Sequence, residues 1–220
     1  MTASFVEALM DHIMEGTMIP KVQIERVMGP ILGMFLAEVL TETLKDDPDL
    51  SGTLAMICPE FPFKKNENMQ SENIDWLLIN EHRKQLIFVE LKTSGSSVNA
   101  KQGALYREKR QAVASRGGSF LIDDLKLLRE ASKEHHKYDH ALKQRVLPAQ
   151  DQIARCQDAK IVYLVPNALV AKAAAHGDRV LSFSLLAETI PGAPLGIGAT
   201  VQRSAAFQPT STTPSSPVRP

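Results

Sequence analysis

Apolar residues recur three and four positions apart from about Thr2 to Glu15 and again from about Val22 to Lys45, a spacing that predicts two amphipathic helices. Gly16 and Pro20 separate them, and Asp46-Asp47-Pro48 closes the second. From Thr53 to Phe63 the chain predicts a strand running into Pro59 and Pro62, and Lys64 to Glu72, which has no apolar period, predicts a polar loop. Ile74-Asp75-Trp76-Leu77-Leu78-Ile79 and Gln85-Leu86-Ile87-Phe88-Val89-Glu90-Leu91-Lys92 are then two short apolar runs joined by the polar Asn80-Glu81-His82-Arg83-Lys84. This pattern predicts a β-hairpin. Both runs carry apolar residues at odd and even positions, so both faces of the sheet need a cover and helices are expected on either side. The expected class is α/β.

After a polar turn at Ser94 to Asn99, a helix is expected from Ala100 to about Ser115. One or two charged, mostly surface helices follow from Phe120 to about Arg145, then a buried strand from Ala159 to Val165. A helix at Ala168 to Ala175 and a strand near Arg179 to Phe183 complete the expected sheet. From Gln202 to Pro220 the composition turns to Ser, Thr and Pro with little to bury, which predicts a disordered tail. The expected organisation is one domain over 1–201, with its core about 22–183, and a tail over 202–220.

The hairpin places chemistry. If Asp75 faces Glu90, the turn centres between His82 and Arg83, inside the polar segment that joins the strands. Side chains alternate with period two, so Glu90 and Lys92 project from one face and Asp75 joins them there. An unpaired buried ion is costly, yet three charged groups stand where the pattern would place Val or Leu. A divalent cation compensates them: Asp75, Glu90 and the Leu91 carbonyl offer hard oxygen ligands for Mg²⁺ or Mn²⁺. Lys92 would then stabilise a hydroxide nucleophile or the charge that builds on a phosphate under attack. The competing expectation is a cross-strand salt-bridge cluster on an exposed edge.

Ile74-Asp75 followed after a hairpin by Glu90-Leu91-Lys92 resembles the signature of the PD-(D/E)XK nuclease superfamily, with Ile in place of the nominal proline. In the next predicted helix, Gln102-Gly103-Ala104-Leu105-Tyr106 is similar to the QxxxY motif of that superfamily's RecB-like branch, and i,i+4 spacing sets both side chains on one helix face. The resemblance implies a restriction-endonuclease-like core, a mixed central sheet flanked by helices on both faces. It also implies metal-dependent hydrolysis of phosphodiester bonds, with Asp75, Glu90 and Lys92 catalytic. Gln102 and Tyr106 would contact the phosphate backbone or neighbouring catalytic groups. The family commonly takes a further acidic ligand from the preceding helix, for which Glu38, in an otherwise apolar run, is the candidate and Glu42 and Glu25 are alternatives. DNA is the expected substrate and RNA the second choice, with a protein partner or self-association left open.

Over 220 residues, 25 Lys and Arg balance 25 Asp and Glu, so no bulk basic excess marks a nucleic-acid binder and local charge has to decide. Lys101, Arg107, Lys109, Arg110 and Arg116 form a basic stretch beside the expected centre, equally readable as phosphate contacts or a solvated helix face. His136 and His140 share a helix face near His135 but lack HExxH spacing, which favours a charged surface. Glu60, in Pro59-Glu60-Phe61-Pro62, is placed to approach the centre from the first strand or to serve as an edge residue. Two isolated cysteines, no basic-then-apolar leader and no long apolar span give the expectation of a cytoplasmic protein off the membrane. The absence of Gly-rich phosphate loops and nucleophile elbows removes other common α/β enzymes. Two rivals remain: a non-catalytic scaffold of the same fold, and a metal-dependent hydrolase of small phosphorylated substrates.

Overall fold

The computed structural model describes residues 24–65 and 69–189; the helix expected from Thr2 to Glu15 and the tail expected from Gln202 lie outside them. Two helices open the described chain, α1 (Ile24–Gly33) and α2 (Leu36–Thr43). The single helix expected over this stretch breaks at Met34 and Phe35. Gly33 is pressed against the Trp76 indole, where a Cβ would fall 2.8 Å from Nε1, and glycine is a weak helix former. Among the described residues, no helix is long and apolar enough to cross a membrane.

Five strands follow the order β1-β2-β3-β4-β5 in one mixed sheet. β1 (Leu54–Lys64), β2 (Ser71–Asn80) and β3 (Gln85–Leu91) pair antiparallel, while β4 (Asp158–Val165) and β5 (Arg179–Ser182) join in parallel. The chain between β3 and β4 carries α3 (Ala100–Arg116), α4 (Ser119–Ala131), α5 (His135–Asp139), a π-helical stretch at His140–Val146, a 3-10 turn at Leu147–Ala149 and α6 (Gln150–Ala154). The helix expected at Ala168 to Ala175 is shorter, a 3-10 turn at Asn167–Leu169 leading into α7 (Val170–Ala173), and α8 (Phe183–Thr189) follows β5.

The expectation that helices cover both faces is met. One face packs Phe61, Phe63, Leu77, Phe88 and Tyr163 against Tyr106 and Val113 of α3, Leu125 of α4 and Val146 of the π-helical stretch. The other packs Trp76, Leu78, Ile87, Val89 and Leu164 against Leu40 of α2 and Leu186 of α8. The segment from Phe120 onward is therefore less superficial than its charge predicts: Phe120, Leu121, Leu125, Leu128, Leu142 and Val146 are all buried.

One difference from the expected pattern is caused by strand pairing. β2 begins at Ser71, inside the stretch expected to be a loop, because Lys64, Phe63 and Pro62 pair with Ser71, Glu72 and Asn73, and Lys65 salt-bridges Glu72 at 2.6 Å. β1 runs through Pro59 and Pro62 because it lies at the sheet edge, where a missing N–H breaks no ladder on the open side. A register shift between Met56 and Cys58 bends it further.

The hairpin turn is anchored by Asn80, which is fully buried. Its Nδ2 donates to the Leu50 and Ser51 carbonyls at 3.2 and 3.1 Å, and its Oδ1 accepts the Arg83 N–H at 3.2 Å. Arg83 in turn donates to the Ser51 carbonyl and hydroxyl, both at 2.7 Å. Asn80→Leu would strip three backbone groups of a buried partner, so a loss of about 2–3 kcal/mol is expected in urea unfolding. Ser51→Ala, which removes only the exposed hydroxyl contact, is expected to cost about 0.5 kcal/mol or less.

Candidate active site

Alternation along β3 sends Leu86 and Phe88 into the first core and Ile87, Val89 and Leu91 into the second, so Glu90 and Lys92 belong to the first face. On β2, Leu77 and Ile79 face the same way, and Asp75 with them. Asn80 pairs with Gln85 and Trp76 with Val89. The turn thus centres between His82 and Arg83 as expected, and the continued register sets Asp75 opposite Glu90. On the other side of β2, Pro59 pairs with Trp76 and Phe61 with Ile74, which sets Glu60 opposite Asp75. On β4, Tyr163 is the register partner of Glu90. A row Glu60, Asp75, Glu90, Tyr163 therefore crosses four strands.

Glu90 is 2% exposed, and its carboxylate is surrounded by donors. Oε1 accepts Gln102 Nε2 at 2.9 Å and lies 2.5 Å from Lys92 Nζ, while Oε2 accepts the Tyr106 hydroxyl at 2.7 Å. The Asn73 carbonyl is a longer alternative acceptor for that hydroxyl, at 3.2 Å. Asp75 Oδ2 accepts the Leu91 N–H at 2.6 Å, which ties the two strands together beyond their paired ladder. α3 presents Gln102 and Tyr106 one above the other, and it starts where Asn99 caps the Lys101 N–H at 2.9 Å. The side chains of the QxxxY-like motif thus bind the Glu90 carboxylate itself.

The electrostatics follow from this crowding. Burial first, then the neighbouring Glu90 charge, push the Asp75 carboxyl up to about 8; the Leu91 N–H pulls it back, Glu60 adds to the rise and Lys92 opposes it. Burial also raises Glu90, with Lys92 and Tyr106 countering. Burial and then Glu90 hold the Tyr106 phenol far above its ordinary range, so it remains a proton donor. Two full carboxylate charges at the ~5 Å typical of opposed side chains repel by about 3 kcal/mol at an effective dielectric near 20. Lys92, the weakest of the influences on Asp75, offsets only part of that repulsion and leaves Asp75 without a cation of its own.

Glu38 is not brought to this group. It is exposed on α2, whose buried Leu36, Val39 and Leu40 face the second core on the opposite side of the sheet. The apolar run around it had suggested a buried charge, but the helix is amphipathic and Glu38 lies on its outer stripe. Glu42 is also exposed and pairs with Lys45 at 2.6 Å, and the Glu25 side chain lies outside the described residues. The third acid beside Asp75 is Glu60, an exposed residue with φ of 49°. Its Oε2 accepts Asn73 Nδ2 at 3.4 Å. Among the described residues, no three His, Cys, Asp or Glu side chains gather closely enough to hold a metal ion by themselves.

The basic stretch divides. Lys109 is buried against Asp124 at 3.0 Å, Arg110 pairs with Asp178, and Arg116 stacks 4.9 Å from the Phe120 ring centroid. Lys101 and Arg107 are exposed. His136 and His140 are exposed, and His135 Nδ1 lies 2.6 Å from the Arg129 carbonyl, in keeping with a charged surface. Tyr163 is the site neighbour that sequence reading passed over as one more residue of a buried strand; its position beside Glu90 depends on the parallel β3–β4 register.

A raised Asp75 binds its proton more tightly folded than unfolded, so stability is expected to fall as pH climbs from about 4 to about 8 in chelator-treated protein. Asp75→Asn is expected to flatten this slope in urea midpoints measured across that range. A wild-type midpoint that rises steadily over the same window would contradict the assignment. The chain matches no protein-family model, no curated protein and no solved structure in the three comparisons made.

Proposed function

We propose that the chain is a metal-dependent nuclease with a restriction-endonuclease-like core, hydrolysing phosphodiester bonds in DNA. The observation that carries this reading is the buried meeting of Glu90, Lys92, Gln102 and Tyr106 beside Asp75 on one face of the sheet. An exposed-edge salt bridge accounts poorly for it: Glu90 and Lys92 are 2% and 7% exposed, and a buried pair of this kind is weak support for stability. A site that gathers opposed carboxylates at a cost in repulsion is more readily explained by the cation it serves.

The donor set fits Mg²⁺ or Mn²⁺, since Asp75 and Glu90 are hard oxygen donors and such ions keep several waters and accept phosphate oxygens. When bound, the ion supplies Lewis-acid stabilisation of the charge growing on the phosphate and a lowered pKa for the attacking water. Asp75 loses its proton more readily once that positive charge is present, which turns the acid raised to about 8 into a ligand. Gln102 and Tyr106 hold the Glu90 carboxylate in a fixed rotamer, so they act as positioning residues. Lys92, released from full engagement with Glu90, places its amine beside the reacting phosphate.

Two tests bear on this. Linear, circular and single-stranded DNA, and RNA, incubated with Mg²⁺, Mn²⁺ or EDTA are expected to show cleavage only with metal. Folded Asp75→Ala and Lys92→Met are each expected to lose at least about 10²-fold in rate. Wild type that is inert on every polymer would instead favour the scaffold. Separately, Lys92→Met leaves Glu90 without its charge partner, and by calorimetry it is expected to bind Mn²⁺ at least as tightly as wild type although it no longer cleaves. Weaker binding by that variant would show that Lys92 does not compete with the ion for Glu90.

A further inference from the structure

Tyr163 is 1% exposed, and no hydrogen bond satisfies its hydroxyl among the described residues. The little surface that Tyr163 keeps includes the hydroxyl oxygen. A tyrosine sealed around its ring usually finds a partner for its O–H. This one points from the same face as Glu90, its register partner on the next strand.

Beside it runs an edge of α3. Gly103 lies against His176, where a Cβ would sit 3.0 Å from Nδ1, and Arg110 pairs with Asp178. Between those two residues, Gly177 packs on Tyr163, with a Cβ position 2.7 Å from ring carbon Cδ2. Arg107 is one helical turn from both Gly103 and Arg110, so it shares the face of α3 that meets this segment. Its charge is felt at Tyr163, acting on the phenol against the combined push of burial and Glu90. Arg107 is exposed and has no ion-pair partner among the described residues, in contrast to Lys109 and Arg110 on the same helix.

We propose that the Tyr163 hydroxyl and the Arg107 guanidinium form a second phosphate-binding position next to the Glu90 centre, which holds a neighbouring backbone phosphate of the strand being cut. This rests on the nuclease reading and deepens it. The phenol donates one hydrogen bond to a non-bridging oxygen and the guanidinium supplies the countercharge. Both contacts are indifferent to base identity, so the position sets the strand's path and leaves sequence unread.

Tyr163→Phe and Arg107→Gln are the informative variants, because neither removes a partner of Glu90, Asp75 or Lys92. With Ca²⁺ in place of Mg²⁺, fluorescence anisotropy of a labelled DNA oligomer reads binding; with Mg²⁺, cleavage reads KM and kcat separately. Tyr163→Phe is expected to raise Kd and KM about 2- to 10-fold, with kcat nearly unchanged and an unaltered unfolding midpoint, since the hydroxyl has no partner among the described residues. Arg107→Gln is expected to weaken binding and to lower the slope of log Kd against log salt by about one. Arg107→Lys is expected to restore that slope. Active wild type with both variants indistinguishable from it in Kd, KM and salt slope would overturn this position while leaving the nuclease reading intact. Wild type that neither binds nor cleaves DNA or RNA would overturn both.

Discussion

A carboxylate buried in an apolar sheet stays ionised only if donors surround it, and Glu90 imposes that demand on every element near it. Lys92 answers from its own strand, Gln102 and Tyr106 from α3. The phase of α3 is thereby fixed: the two residues that reach Glu90 are four apart, and the same stripe carries Lys109 and Val113 into the core. The hairpin is fixed as well, because Asp75 accepts the Leu91 N–H only in the register that sets it opposite Glu90. A slip of one residue between β2 and β3 would send Glu90 and Lys92 to the face opposite Asp75, among Trp76 and Leu78.

Much of this was legible in the sequence because its constraints are local. The hairpin register followed from one polar turn between two apolar runs, and the Gln102–Tyr106 face followed from i,i+4 spacing. The start of β2 at Ser71 was not legible, since its polar residues are strand only through pairing with β1. An apolar neighbourhood in sequence is not burial in space: Glu38 stands in such a run yet is exposed, because the outward stripe of an amphipathic helix passes through it too. Tyr163 was invisible as a site residue for the same general reason. Its place beside Glu90 is set by a parallel pairing across more than 70 residues of intervening chain, for which no short-range signal exists.

The two faces of the sheet do different work. The second core, around Trp76, Ile87 and Leu164, is an ordinary apolar contact with α2 and α8. The first carries the aromatic edge contacts of Phe63 with Phe61, Phe88 and Tyr106 and, at the end of β3, the charged group. Tyr106 belongs to both parts, with its ring in the core and its hydroxyl on Glu90. Packing and chemistry are coupled through that one residue, so disturbing the aromatic cluster should move a donor of the Glu90 carboxylate as well as open a cavity.

The equality of acidic and basic residues over the whole chain conceals an uneven distribution. Lys109 with Asp124, Arg110 with Asp178, Arg129 with Asp139 and Arg179 with Asp47 are internal pairs that cancel where they stand. Among the described residues, Lys92 is the cation that acts on Asp75 and Glu90, so the local field around Glu60, Asp75 and Glu90 is acidic when all of them are charged, and an acidic site repels a polyanion. On the nuclease reading, a divalent ion therefore has two effects that precede chemistry. It would let Asp75 ionise without added repulsion, and it would cancel the net negative charge that an approaching phosphate meets. Exposed Arg107 on α3 would then contribute at the rim, where a cation without an ion-pair partner among the described residues costs little desolvation. On that reading a bulk basic surface is unnecessary, because affinity for the strand would be assembled at the site together with the ion.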